Sequence, residues 1–162
     1  MRESADPAHP ADPRALADFF ADLVRCETRL YNALNDRLRA RHGIVTSQYE
    51  YLRHLREHPG ARVADIAAEF AIGIGASSKG ADRLEQSGWV ARRPNPLDRR
   101  SSLLVLTDAG AELVAAAERT FAEALAELLA DPLEPAAITA AARTLATLRA
   151  ALEDRQIGAP AG

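Results

Sequence analysis

Residues 63–107 read VADIAAEFAIGIGASSKGADRLEQSGWVARRPNPLDRRSSLLVLT. Val63, Ile66, Ala67 and Phe70 recur at spacings of three and four, which predicts a helix over residues 64–70. Ile72, Gly73, Ile74 and Gly75 break that helix and open the next, which runs over residues 76–86. Ser87 and Gly88 close it, with glycine in the position that tolerates the left-handed conformation ending many helices. Residues 89–91 and 103–106 are strand-like and flank Pro94, Asn95, Pro96, Leu97 and Asp98, a turn-forming run. Two helices joined by a tight turn and followed by a basic hairpin follow the plan of a winged helix-turn-helix. In that plan the second helix enters the major groove of a duplex and the hairpin, or wing, reaches along the backbone to the minor groove.

The charges agree with this plan. Between residues 73 and 106 the cations are Lys79, Arg83, Arg92, Arg93, Arg99 and Arg100, and the anions are Asp82, Glu85 and Asp98. The segment is therefore net positive in a chain whose formal charge is −3, which is the local condition for neutralising phosphates. The alternative is a solvated hairpin that carries arginines for solubility alone.

With 162 residues, 48% of them hydrophobic and 5% aromatic, the chain predicts one mainly helical domain with a small β-wing. Its one cysteine excludes an intrachain disulfide. Residues 1–14 lack a basic start followed by an apolar run and do not read as a signal peptide, and no apolar stretch reaches membrane-spanning length. A cytoplasmic chain with no membrane partner is the expectation.

On either side of the central stretch lie long helices. Residues 1–12 carry Pro7 and Pro10 and are expected to form a disordered tail. A helix over residues 13–42 presents Leu16, Phe19, Leu23, Cys26, Leu30 and Leu34 as one apolar stripe and stops at Gly43. Thr46 is placed to cap the next helix, which turns Tyr49, Leu52 and Leu55 inward and ends at Pro59 and Gly60. Arg62 and Val63 suggest a short third strand beside the wing. Thr107 is a good cap for a helix to about residue 130, with Val114, Ala117, Phe121, Leu125 and Leu128 inward. The last helix, residues 134–154, carries Ile138, Ala141, Leu145, Leu148 and Leu152 as a heptad seam, and residues 156–162 form a flexible tail. Helices over 13–42 and 108–155 are too long to bury their stripes on a winged domain of residues 44–107. A homodimer built from these N- and C-terminal helices resolves this, the alternative being an intramolecular three-helix bundle.

The order VTSQYEYLRHLREHPG, VADIAAEF, ADRLEQSGWVARRPNPLDRRSSLLVLTDAG resembles the multiple antibiotic resistance regulator (MarR) family. Asp82, Arg83, Leu84, Glu85, Gly88, Asp98, Arg100, Leu106 and Thr107 sit on the family's pattern of a D-R-L-E-x-x-G helix end, a D-x-R wing tip and an L-T start to the next helix. The resemblance implies a dimeric regulator, usually a repressor, that binds a pseudo-palindromic double-stranded operator and is released by a small-molecule effector. It implies groove contacts from Ser77, Ser78 and Lys79, and backbone or minor-groove contacts from Arg83, Arg92, Arg99 and Arg100. Asp98 would orient a wing arginine. It also implies an effector pocket, for which Tyr31, His42, Tyr49, Arg53 and Trp89 are the candidate lining residues. Ala76 departs from the family's usual threonine or serine. Gly73, Gly75 and Gly80 make this helix unusually rich in glycine; Gly80 suits close approach to a neighbouring helix or to the DNA backbone, with looser packing as the alternative.

Other signals are weaker. GIGASSKG lacks the glycine at position 78 of a dinucleotide fingerprint, and Lys79 precedes rather than follows Gly80, so no nucleotide cofactor is expected. Cys26 falls on an apolar stripe and reads as a buried, inert thiol, with a redox sensor as the alternative. His54 and His58 are one turn apart, but the helix after the wing has no histidine, so solvated side chains are expected and no metal. No nucleophile–base arrangement suggests an enzyme. A ligand-binding or protein-interaction module that keeps the fold without binding DNA remains the rival from another class.

Overall fold

A computed structural model describes residues 12–160. Helix α1 spans Pro13–His42, α2 Thr46–Glu57, α3 Val63–Glu69 and α4 Ile74–Gln86. Strands β1 (Val90–Pro94) and β2 (Ser102–Leu106) pair antiparallel, from Val90 opposite Leu106 to Pro94 opposite Ser102. Helix α5 spans Asp108–Leu125, continues through a π-helical turn, Ala126–Ala130, and is followed by α6, Pro135–Asp154. Among the described residues no helix is long and apolar enough to cross a membrane. The tail expected over residues 1–12 lies outside the described residues except for Asp12, whose carboxylate accepts from the Arg14 N–H.

The chain divides into two units, residues 1–33 and 34–162, with the boundary inside α1. Described by itself, the first unit's helical segment leaves Leu16, Phe19, Phe20 and Val24 exposed. Cys26 is exposed as well, which overturns the expected buried thiol. None of the described residues of its own unit covers that stretch of helix.

The second unit holds the core. Leu38, Ile44, Tyr49, Leu52, Leu55, Ile66, Leu84, Val90, Leu104 and Val114 are sealed from solvent. They come from α1, α2, α3, α4, both strands and α5, so the winged domain and α5 share one core. Helix α5 runs inward along Gly110, Val114, Ala117, Thr120 and Ala124. The expected Phe121, Leu125 and Leu128 are not sealed with them, and the buried stripe runs through Thr120 and Ala124 instead. Phe121 still packs on Tyr49, with ring centroids 4.6 Å apart. Helix α6 buries no residue, and Leu145, Leu148 and Leu152 of its seam stay exposed.

Local chemistry explains most boundaries. Gly43 and Gly88, with φ of 67° and 77°, close α1 and α4. Thr107 Oγ1 accepts from the Gly110 N–H at 3.1 Å and caps α5 as expected. Thr46 does not cap α2. It is the first helical residue, its N–H is taken by Asn35 Oδ1 at 2.8 Å, and its own hydroxyl is buried without a partner among the described residues. The cap position belongs to Val45, whose N–H donates to Gln48 Oε1 at 3.0 Å. The third strand reduces to a single bridge between Ala61 and Leu104, because Val63 already begins α3. Helix α4 begins at Ile74, two residues before its expected start, after a short α3–α4 turn. The left-handed residue of the turn is Ala71 (φ 49°) rather than a glycine, while Gly73 is extended.

Candidate nucleic-acid interface

Helix α4 is amphipathic: Ser77, Ala81 and Leu84 point into the core, and Lys79, Asp82, Arg83, Glu85 and Gln86 point out. Ser77 is fully buried and its hydroxyl donates to the Val63 carbonyl at 3.2 Å. The expected groove contact from Ser77 is therefore overturned, since that side chain pins α4 to the start of α3. Ser78 is half-buried, and Lys79 and Arg83 lie on the outer face.

Gly80 sits against α2. A β-carbon there would lie 3.3 Å from the Tyr51 ring, and the Tyr51 hydroxyl donates to the Ser77 carbonyl at 3.3 Å. Of the two neighbours open at the sequence level, Gly80 thus meets the adjoining helix. Tyr51, Phe70, Ile72, Ala76, Gly80 and Arg83 line a cleft of about 290 Å³ between α2 and α4.

The wing tip is braced from within. Asn95 is buried; its Nδ2 donates to Ser101 Oγ at 2.8 Å and its Oδ1 accepts from the Leu97 N–H at 3.0 Å. Asp98 Oδ1 accepts from the Arg100 N–H at 3.0 Å and lies 3.6 Å from Arg100 Nε. Arg100 nevertheless remains 95% exposed, with Arg99 exposed beside it. Asp98 orders the backbone of the tip and leaves both guanidinium groups able to reach outward. The part played by Asn95 was missed in the sequence, although an asparagine between two prolines in a turn is its signal.

Arg92 behaves differently. Its Nη2 meets Asp82 Oδ1 at 2.5 Å, its Nε meets Glu85 Oε2 at 3.0 Å, and its N–H donates to Glu85 Oε1 at 3.3 Å. Burial pulls its pKa down, but the hydrogen bonds to Glu85 and Asp82 outweigh this and hold it above the usual arginine value. In the free protein Arg92 is a clamp between β1 and α4. Arg93, one residue on, is exposed.

Of the five residues expected to line an effector pocket, four lie in the second unit, where Tyr49 and Arg53 are near enough to interact electrostatically. Tyr49 is sealed in the core, and His42 Nε2 hydrogen-bonds the buried Thr120 hydroxyl at 2.8 Å. Arg53 pairs with Glu57 at 2.9 Å and lines a small polar cleft with His54 and Glu69. Trp89 packs on the core beside β1. Tyr31 lies in the first unit and is half-buried there. His54 and His58 stack on each other at 4.5 Å, and His54 also meets the Phe70 edge, so His54 is a packing residue rather than a solvated one. Among the described residues no group of three or more His, Cys, Asp or Glu side chains is placed to hold a metal.

A helix pair with a tight turn, an amphipathic second helix and a hairpin ending in exposed arginines define a winged helix-turn-helix protein. Residues 44–102 match the MarR family model, and over that stretch the chain is similar to this family. The HTH-type transcriptional repressor MdtR of Bacillus subtilis is 38% identical over 68 residues, which are 42% of this chain and 44% of that protein. The chain thus matches less than half the length of this curated relative. Among solved structures, Sco3205 from Streptomyces coelicolor, a MarR family transcriptional regulator in complex with DNA, superposes with a TM-score of 0.77 at 24% identity, covering 89% of this chain and 93% of that one. CouR from Rhodococcus jostii RHA1, bound to p-coumaroyl-CoA, gives 0.72 at 23% identity, covering 81% and 91%.

Proposed function

We propose that this protein is a homodimeric, sequence-specific regulator of transcription that binds a pseudo-palindromic duplex and represses until a small molecule releases it. The observation that carries the reading is the exposed cationic face shared by α4 and the wing: Lys79, Arg83, Arg93, Arg99 and Arg100 point outward in a chain that is acidic overall. Ser78 and Lys79 read bases in the major groove, Arg83 and Arg93 meet phosphate, and Arg99 and Arg100 enter the minor groove, with Asp98 ordering the tip. The similarity to a repressor and to a family member crystallised on DNA supports this reading.

Residues 44–107 serve as the DNA-binding domain, and residues 13–42 and 108–155 as the dimerisation helices. The exposed apolar residues of α1 and α6 support that division. Two winged domains then meet successive turns of one face of the duplex. The effector acts by shifting the balance between spacings of the two recognition helices. The cleft between α2 and α4 is where a small molecule would press on the recognition helix, and the ligand-bound CouR supports regulation of this kind. A regulator that acts on the chromosome in this way works in the cytoplasm, without catalysis of its own.

The deciding test is a gel shift on duplexes selected from a random library, at two salt concentrations, with wild type and Arg100→Ala. Salt-sensitive binding that weakens in the variant is the expected result. If wild type selects no duplex, the reading fails and an interaction module on the same fold takes its place.

A further inference from the structure

We infer that Arg92 is a positioning residue that prepares the DNA-facing surface by neutralising Asp82 and Glu85, and that it does not itself meet phosphate. The inference rests on the DNA-binding reading above. Asp82 and Glu85 are one turn apart on the exposed side of α4, the same helix that presents Lys79 and Arg83. Two uncompensated carboxylates there would repel the phosphate backbone. Arg92 bridges them, with Nη2 on Asp82 and Nε on Glu85, and its backbone N–H adds a third bond to Glu85. All three bonds cross from β1 to α4, so the same interactions that cancel the charge fix the wing base to the recognition helix.

Exposure separates Arg92 from its neighbours. Its side chain is 28% exposed, against 95% for Arg100 at the wing tip. An arginine that served phosphate would spend its donors on solvent in the free protein, whereas Arg92 spends them on two carboxylates. Charge on this surface is thus sorted: Arg92 quenches the helix anions, and the remaining cations are left for DNA.

The experiment measures log K against log salt for a duplex selected by the wild-type protein. The variants are Arg92→Ala, Arg92→Lys, Arg100→Ala and the triple variant Arg92→Ala with Asp82→Asn and Glu85→Gln. Each substitution acts in both subunits of the dimer, so removing one phosphate-neutralising cation per subunit lowers the slope by about 1.8. The expected result is that Arg92→Ala binds about tenfold more weakly, on the scale of deleting one charged hydrogen-bonding partner, but keeps the wild-type slope. Arg100→Ala shows a reduced slope. The triple variant regains most of the affinity, because the repelling charges are gone. Arg92→Lys reaches only one carboxylate at a time and falls between, so the inference stays testable should Arg92→Ala fold poorly. A slope lowered by Arg92→Ala as much as by Arg100→Ala, with no recovery in the triple variant, would make Arg92 a phosphate ligand and overturn the inference. Selection of no duplex by wild type is a different failure, and it removes the DNA-binding reading itself.

Discussion

Gly110 has no room for a side chain. A β-carbon there would overlap the carbonyl oxygen of Trp89, which already accepts from the Thr107 N–H at 3.0 Å. The obstacle is backbone rather than a flexible side chain, so relief requires moving the junction of β1 and α5. Gly110→Ala is expected to cost at least about 1–3 kcal/mol, the range for overpacked sites, measured as a lower midpoint in urea unfolding. An unchanged midpoint would mean that this junction gives way easily. His54 offers a residue-scale prediction in pH. Burial lowers its pKa from the ordinary 6.5, and the nearby His58 lowers it further. The folded state therefore favours the neutral ring. This contribution to stability is complete above 6.5 and is lost as pH falls from there through the depressed folded value. The melting temperature should drop as pH falls from about 7.5 to about 5.5, and His54→Phe should flatten that drop. The paired carboxylate of Glu118, whose pKa is lowered by its hydrogen bonds to Arg56, acts below its ordinary 4.5 and leaves this window to histidine.

At the scale of elements, the glycines of α4 are not equivalent. Gly75 has nothing within 4 Å of where its β-carbon would sit, whereas Gly80 faces the Tyr51 ring. Alanine in place of glycine inside a helix is worth up to about 1 kcal/mol from backbone entropy. Gly75→Ala should therefore stabilise the protein by part of that amount. Gly80→Ala should gain nothing, because Tyr51 is buried and held through its hydroxyl to Ser77. Thermal melts of the two variants side by side test this, and equal stabilisation would show that Tyr51 moves aside freely. Three arginine–glutamate pairs, Arg37 with Glu127, Arg41 with Glu123 and Arg56 with Glu118, line α5 and the π turn that continues it. All are substantially exposed, and surface pairs of this kind contribute little. Packing of Tyr49, Leu52 and Leu55 against Val114 and Ala117, all in one buried cluster, holds α2 to α5 far more strongly.

At the scale of the whole molecule, the exposed apolar faces decide how the chain is used. Leu145, Leu148 and Leu152 on α6 and Leu16, Phe19 and Phe20 on α1 present far more apolar surface than isolated surface residues do. If a second copy covers them, Leu145→Glu with Leu148→Glu should convert a dimer into a monomer in sedimentation equilibrium. The melting of the winged core should survive, since neither residue belongs to the buried cluster. Without paired half-sites, operator binding should then weaken steeply. A wild-type chain that sediments as a monomer would remove the dimer from the proposal.

The sequence by itself determined the helix-turn-helix, the wing, the caps at Gly43, Gly88 and Thr107, and the extent of α1, because each rests on periodicity or turn chemistry within a few residues. It also determined which cations could lie on the surface of α4 and the wing, but not which of them stay open and which are paired. One step along a helix rotates a side chain by about 100°, and the turn before α4 left its rotational setting open. Packing against α3 settled it, turning Ser77 inward and bringing Gly80 against Tyr51. Arg92 and its two carboxylates lie on separate elements, so their pairing exists only once β1 lies beside α4. The Asn35 bond to Thr46 and the fit of Gly110 to Trp89 arise in the same way. Local signals name the elements, and packing between elements assigns each side chain to core, clamp or open surface.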